Sequence, residues 1–209
     1  MGMRNSHPIL ARIARTGRAA LASAAVVALI VAAIALGVQA QAAVPRKAPE
    51  LTITRPVGDP ILLSSFKGKV VVVEFLFVAS PHCLQLLQTL NTLKTDLGAR
   101  GYESVAIAFG QGADQGSVNH IDRRVGLTYP IGYATADQVD AFLSRQGSEK
   151  LKIPQMIVID RNGVIRAASG NKGDPALENE AFLRRLLESL LSEAPAAQSA
   201  SKPAAAHKS

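Results

Sequence analysis

The run Val70-Val71-Val72-Val73-Glu74-Phe75-Leu76-Phe77 constrains this chain most, because only Val78-Ala79 separates it from Ser80-Pro81. A β-branched and aromatic run without alternation marks a strand covered on both faces. Serine caps a helix by accepting from its free amides, and proline suits the first helical position. From Pro81, Leu84, Leu87, Leu90, Leu93 and Leu97 recur at helical spacing, and residues 98–101, bounded by two glycines, end the helix. A buried strand that feeds directly into an amphipathic helix demands a layered α/β domain.

The rest of the pattern agrees. Leu51-Thr52-Ile53-Thr54, a turn at Pro56-Val57-Gly58-Asp59 and Ile61-Leu62-Leu63 predict a short N-terminal hairpin, and residues 65–69 predict a turn before the buried strand. Strands are predicted at 102–109 and 129–133, and helices at 117–124 and 136–145. Residues 155–160 and 164–167 predict two strands joined across Arg161-Asn162-Gly163, where Asn-Gly supplies the positive φ angles of a tight turn. A helix from Glu178 to Ser192 carries Leu183, Leu186, Leu187, Leu190 and Leu191. The expected fold is α/β, a central mixed sheet with helices on both faces and an N-terminal hairpin, over residues 46–191.

Residues 1–45 read as a membrane-targeting segment. Met1 to Pro49 contains no acid, Arg4, Arg12, Arg15 and Arg18 precede an uncharged run from Ala19 to Pro45, and its densest part, Leu21 to Val38, is close to bilayer-spanning length. Small residues at Val38-Gln39-Ala40 and Ala40-Gln41-Ala42 fit a cleaved signal peptide, while the length of the run fits an anchor that would hold the inner membrane through residues 19–40. Either reading places the domain in the cell envelope, on the exported side of the inner membrane. Residues 192–209 have no large apolar side chain and read as a disordered tail. The net charge of +7 owes much to these two ends, so no nucleic-acid partner is expected.

The chemistry centres on the single cysteine, Cys83, in Ser80-Pro81-His82-Cys83. In the first turn of a helix the unpaired amides favour a thiolate, and His82 would add positive charge, so a lowered pKa is expected. The alternative is a small buried residue at the foot of a helix that Ser80 merely caps. Glu74 is either a buried acid near the cysteine or a strand acid at the sheet margin; His82 is either an acid for the site or a solvated residue. Pro154 either carries a cis bond or enters an edge strand in the trans form, and His120 reads as surface. No ligand set at metal spacing is present, and no cofactor is expected.

Ala48-Pro49-Glu50-Leu51, the run from Phe66 through Phe75, and Ile153-Pro154 ahead of the strand at 155–160 together resemble the thioredoxin superfamily, in its TlpA-like and AhpC/TSA-like (redoxin) branch. The resemblance covers nearly the whole folded part. It implies a thioredoxin-like fold and a Cys-Pro-His-Cys site in which Ser80 stands where the attacking cysteine belongs and Cys83 where the resolving one belongs. It also implies that Glu74 is the buried acid that moves a proton to and from the thiol, and that a cis Ile153–Pro154 bond faces the site. Ala79 departs from the tryptophan usual before the motif.

Three functions follow from that resemblance. The first is a thiol–disulfide oxidoreductase of the cell envelope working as a monothiol through Cys83, with protein or small-molecule thiols and disulfides as partners. The second is a one-cysteine peroxiredoxin-like antioxidant, since peroxiredoxins carry Thr or Ser three residues before their cysteine; Leu76 and Pro154 stand where that group has a proline and an arginine. The third is a non-catalytic binding module that uses the groove beside Pro154. Copper binding through Cys83 and His82 is a weaker variant, because the two are adjacent and no further soft ligand is present.

Overall fold

The computed structural model describes residues 43–145 and 150–193. The expectations for the leader and for the tail fall outside these residues, apart from 43–45 and 192–193. Among the described residues no helix is long and apolar enough to cross a membrane.

The elements run β1 (Arg46–Lys47), β2 (Thr52–Ile53), β3 (Ile61–Leu62), β4 (Val70–Leu76), α1 (Pro81–Leu97), β5 (Tyr102–Ala108), α2 (Gln115–Val125), β6 (Ile131–Tyr133), α3 (Ala136–Leu143), β7 (Gln155–Ile159), β8 (Val164–Ala168), α4 (Pro175–Glu178) and α5 (Glu180–Ser192). Six strands form one sheet in the order β1-β8-β7-β4-β5-β6, and β2 and β3 pair as the separate N-terminal hairpin. β4, β5 and β6 are parallel, whereas β7 runs antiparallel to β4 and β8 to β7. This is the mixed sheet that the sequence implied.

β4 is the central strand, and all seven of its residues are buried. Strand alternation divides them between two cores. Val70, Val72 and Leu76 pack in a cluster with Leu87, Leu90 and Cys83 of α1 and Leu183 and Leu187 of α5. Val71, Val73 and Phe75 pack in the other cluster, with Val139, Phe142 and Leu143 of α3 and with Leu51 and Ile53 of the hairpin segment. Glu74 therefore shares its face with Val72 and Leu76 and looks towards α1 and α5.

The hairpin closes on the far edge of the sheet. Thr54 exchanges backbone hydrogen bonds with Tyr133 at 3.0 and 2.9 Å. Gly132 permits that approach, since a Cβ there would lie 2.5 Å from both the Thr54 carbonyl oxygen and Ile53 Cγ2.

Several expectations need correction. The helix read as continuous from Glu178 is broken: Asn179 adopts extended backbone and caps α5, its side chain accepting from the Phe182 N–H at 3.0 Å, so Glu178 ends the separate turn α4. At the 161–163 turn only Gly163 has positive φ, at 77°. The Gly163 N–H donates to the Asp160 carbonyl at 3.0 Å and the Asp160 carboxylate accepts from the Asn162 and Val164 amides. A type I turn followed by a left-handed glycine gives this geometry, so Asn162 needs no positive φ. The α3 helix stops at Leu143, because Ser144 turns left-handed. Strand β1, paired with β8, was not read from the sequence.

Candidate redox site

The site forms where β4 ends. After Leu76 the chain turns, and the Ser80 N–H donates to the Phe77 carbonyl at 3.0 Å. Ser80 keeps extended backbone as the N-cap of α1, Pro81 occupies the first turn, and Ser80 Oγ accepts from the Cys83 amide at 3.4 Å. The local sequence produces this start without help: cap, proline, then a leucine-rich face.

Cys83 is a free thiol and fully buried. Burial above all, with the charges of Glu74 and Glu178 adding to it, pushes the thiol up to about 11 although hydrogen bonds from Ser80 and the Phe77 backbone draw it down. The expectation of a lowered pKa is thus overturned. A helix start stabilises a thiolate only modestly, and here desolvation together with acidic neighbours outweighs it.

Glu74 is fully buried, and neither carboxylate oxygen has a hydrogen-bond partner among the described residues. Its pKa is raised well above the usual range, first by burial and then by the charge of Glu178. The reading of Glu74 as an acid at the sheet margin is therefore wrong; it sits in the central strand.

Glu178 is the residue that the sequence did not give up. It lies at the end of α4, where His82 Nε2 meets its Oε2 at 2.6 Å while Oε1 is buried without a partner. The signal that could have found it is the pair Asp174-Pro175, a cap followed by a first-turn proline, which starts α4. His82 keeps about half of its side chain exposed, 55%, but it is paired rather than simply solvated.

The Ile153–Pro154 bond is cis and Pro154 is buried. Gln155 pairs with Phe75, so Pro154 sits level with Leu76, at the strand end from which the Ser80 turn departs. The Gln155 side-chain amide donates to the Lys152 and Gly170 carbonyls at 2.7 and 2.9 Å and fixes the loops around it. Ser80, His82 and Cys83 are thus brought together on one helix start, with Glu74, Glu178 and the Pro154 strand end beside them. His120 is exposed on α2. Among the described residues no group of three His, Cys, Asp or Glu side chains is placed to hold a metal ion.

A cleft of about 290 Å³ lined by Lys47, Glu50, Phe66, Val71 and Asp160 lies at the opposite end of β4 and shares no residue with this site. The chemistry-bearing groups therefore lie outside that cleft. They are packed under the start of α1.

Comparison with known proteins bears on the same residues. The model of the AhpC/TSA family matches residues 44–168. A thiol-disulfide oxidoreductase ResA of Geobacillus kaustophilus (strain HTA426) is 29% identical over 124 residues, covering 59% of this chain and 67% of the relative. Among solved structures, a thiol:disulfide interchange protein of the thioredoxin family from Chlorobium tepidum TLS superposes with a TM-score of 0.58 at 24% identity, over 72% of this chain and 99% of its own. The thioredoxin domain of a thiol-disulfide oxidoreductase from Bacteroides vulgatus gives 0.58 at 19% identity, again over 72% and 99%.

Proposed function

The chain belongs to the AhpC/TSA family and has its thioredoxin-like fold, and from that premise we propose that it is a cell-envelope protein of the thiol–disulfide oxidoreductase type acting through Cys83 alone. The observation that carries this reading is Glu74. A buried acid with no hydrogen-bond partner costs about 1–3 kcal/mol, and the fold keeps one where its charge is felt by the only thiol. The envelope assignment rests on the arginine-flanked apolar run at 19–40. The working domain is residues 46–191.

The chemistry needs three exchanges. Cys83 loses its proton, and its thiolate attacks one sulfur of a partner disulfide; a mixed disulfide forms and the other sulfur leaves as a thiolate. An external thiolate attacks the Cys83 sulfur of the mixed disulfide and releases the partner's second thiolate, and a second external thiolate then attacks the external sulfur now joined to Cys83, releasing Cys83 and leaving the external pair oxidised. Two electrons pass from the external thiols to the partner disulfide. Ser80 hydrogen-bonds the sulfur and caps the helix, and it takes no covalent part. Because Cys83 is fully buried with a thiol held at about 11, the first exchange is slow until a docked partner uncovers it.

Full burial of Cys83 also favours a second reading, the non-catalytic binding module. The peroxidase reading loses support, because the charges that act on Cys83 come from Glu74 and Glu178, both acids. Thiolate and peroxide would both need positive charge there.

One experiment separates oxidoreductase from binding module. Full-length chain mixed with an unfolded protein that carries a disulfide is expected to form a Cys83 mixed disulfide, identified by mass after acid quench, faster than with glutathione disulfide at equal concentration. No adduct, together with capture of the same polypeptide unchanged in Cys83→Ala, establishes the binding module instead.

A further inference from the structure

The cleft at the start of β4 takes no part in the exchange steps above, yet three segments combine to build it: residues 47–50, residues 63–71 from the Leu63–Phe66 turn into β4, and residues 159–163 at the turn between β7 and β8. Each pair of walls is tied by a hydrogen bond. The Ala48 amide donates to the Gly163 carbonyl at 2.9 Å, the Gly68 amide to the Arg161 carbonyl at 3.0 Å, and the Ser64 amide to Glu50 Oε1 at 3.1 Å. A cleft braced between all three walls does not have to be ordered by what it binds, and that saving goes into affinity.

The floor of the cleft is hydrophobic core left open. Val73, Phe75, Ile157 and Ile165 of the same cluster are fully buried, whereas Phe66, Leu63, Ile159 and Val71 keep 9, 6, 4 and 3% of their surface, and all four line the cleft. An apolar body placed there leaves water for a surface already shaped to receive it.

The charged groups of the cleft divide by sign. Both acids are engaged: Glu50 Oε1 accepts from the Leu51 and Ser64 amides, and Asp160 accepts from the Asn162 and Val164 amides and pairs with Arg166. Lys69 meets Glu103 at 2.9 Å. Lys47 and Lys67 are exposed and have no ion-pair partner among the described residues. They stand on different walls, and their flexible stems let both ammonium groups reach one anion between them.

We propose that this cleft is a binding site for a small amphiphilic carboxylate, its ring or short alkyl body seated on Phe66, Leu63 and Ile159 and its carboxylate held between Lys47 and Lys67. The volume of about 290 Å³ is close to the lower end for ligand sites, about 300 Å³, and admits one molecule of roughly ten non-hydrogen atoms. The head is a carboxylate rather than a phosphate, because phosphate sites draw on backbone amides and arginine forks. Here the Ala48, Ser64 and Gly68 amides brace the walls and Arg166 is held by Asp160, which leaves two point charges. The cleft shares no residue with the Cys83 site, so the inference goes beyond the redox reading and does not depend on turnover at the thiol.

The test is calorimetric titration of the full-length chain with 4-phenylbutyrate and with its neutral analogue 4-phenylbutanamide. The carboxylate is expected to bind saturably, one per chain, and about tenfold more tightly than the neutral analogue. Lys47→Gln with Lys67→Gln is expected to weaken the carboxylate about tenfold and to leave the neutral analogue unchanged. Ser64→Phe, which puts a ring into the cleft from an exposed position, is expected to abolish binding of both. All three side chains are exposed, so none of these changes removes core packing. No saturable binding of the carboxylate at about 1 mM overturns the proposal. So does equal affinity for the two compounds, which makes the cleft merely apolar, or carboxylate binding unchanged in either variant, which puts the ligand elsewhere, as on the apolar run at 19–40.

Discussion

Two acids on neighbouring strands are treated in opposite ways. Val71 of β4 pairs with Glu103 of β5, and Glu74, three residues further on and on the other face, pairs with Ala106. Glu103 is buried but receives Lys69 at 2.9 Å and Lys94 at 2.7 Å. Burial alone would raise its pKa, and the hydrogen bonds and charges of the two lysines hold it below the usual range instead. Glu74 receives nothing and is raised. The same sheet builds a two-lysine cradle around one acid and leaves the other bare, although packing alone would be better served there by leucine.

The largest expected effect breaks that comparison directly. Glu103→Leu leaves Lys94, whose side chain is only 21% exposed, without its partner and is expected to lower stability by about 1–3 kcal/mol. Glu74→Leu removes an unsatisfied buried acid and is expected to raise stability by about 1–2 kcal/mol. Midpoints of urea unfolding report both. If Glu74→Leu destabilised as much as Glu103→Leu, Glu74 would have a partner after all and the contrast would be lost.

The pH dependence separates the two ends of the sheet next. Glu103, lowered in the folded state, contributes stability that is present above its ordinary 4.5 and is lost as pH falls through its folded value. Glu74 and Cys83, both raised, contribute stability that is complete below their ordinary values and is lost as pH rises. For Cys83 the window opens at 9.0 and closes at about 11. Stability of the wild-type chain is therefore expected to fall relative to Cys83→Ala across that window, and a constant difference would show that the thiol is not shielded. Using Cys83→Ala as the reference cancels Tyr102 and Tyr129, which are raised as well.

The legible parts of this molecule are those that local sequence dictates. The valine run, the Ser80-Pro81 cap and the leucine repeat of α1 each carry their own cause, and β4 and α1 lie where the pattern placed them. Glu178 could not be read because its partner His82 is 96 residues away, and a break at Asn179 inside an otherwise helical stretch decides where it points. The ionisation of Cys83 was misread for a related reason. The helix start is visible in sequence, but the burial and the two acids that override it come from β4 and α4. At the 161–163 turn the Asn-Gly pair suggested two left-handed residues, whereas the Asp160 carboxylate, by accepting two amides, stabilises a turn that needs one.

The smallest expected effect lies at the helix cap. Asp114 caps α2 reciprocally, accepting from the Ser117 amide at 2.8 Å while Ser117 Oγ accepts from the Asp114 amide at 3.0 Å. Ser80 caps α1 with one long bond of 3.4 Å and also hydrogen-bonds the sulfur it stands before, which draws the thiol down. One hydroxyl thus serves both helix and thiol, and it serves the helix weakly. Ser80→Ala is expected to cost about 0.5 kcal/mol, the low end for a lost serine cap, yet to slow alkylation of Cys83 because the hydrogen bond favouring the thiolate disappears. A full-sized stability loss with unchanged alkylation would mean that Ser80 belongs to the helix alone.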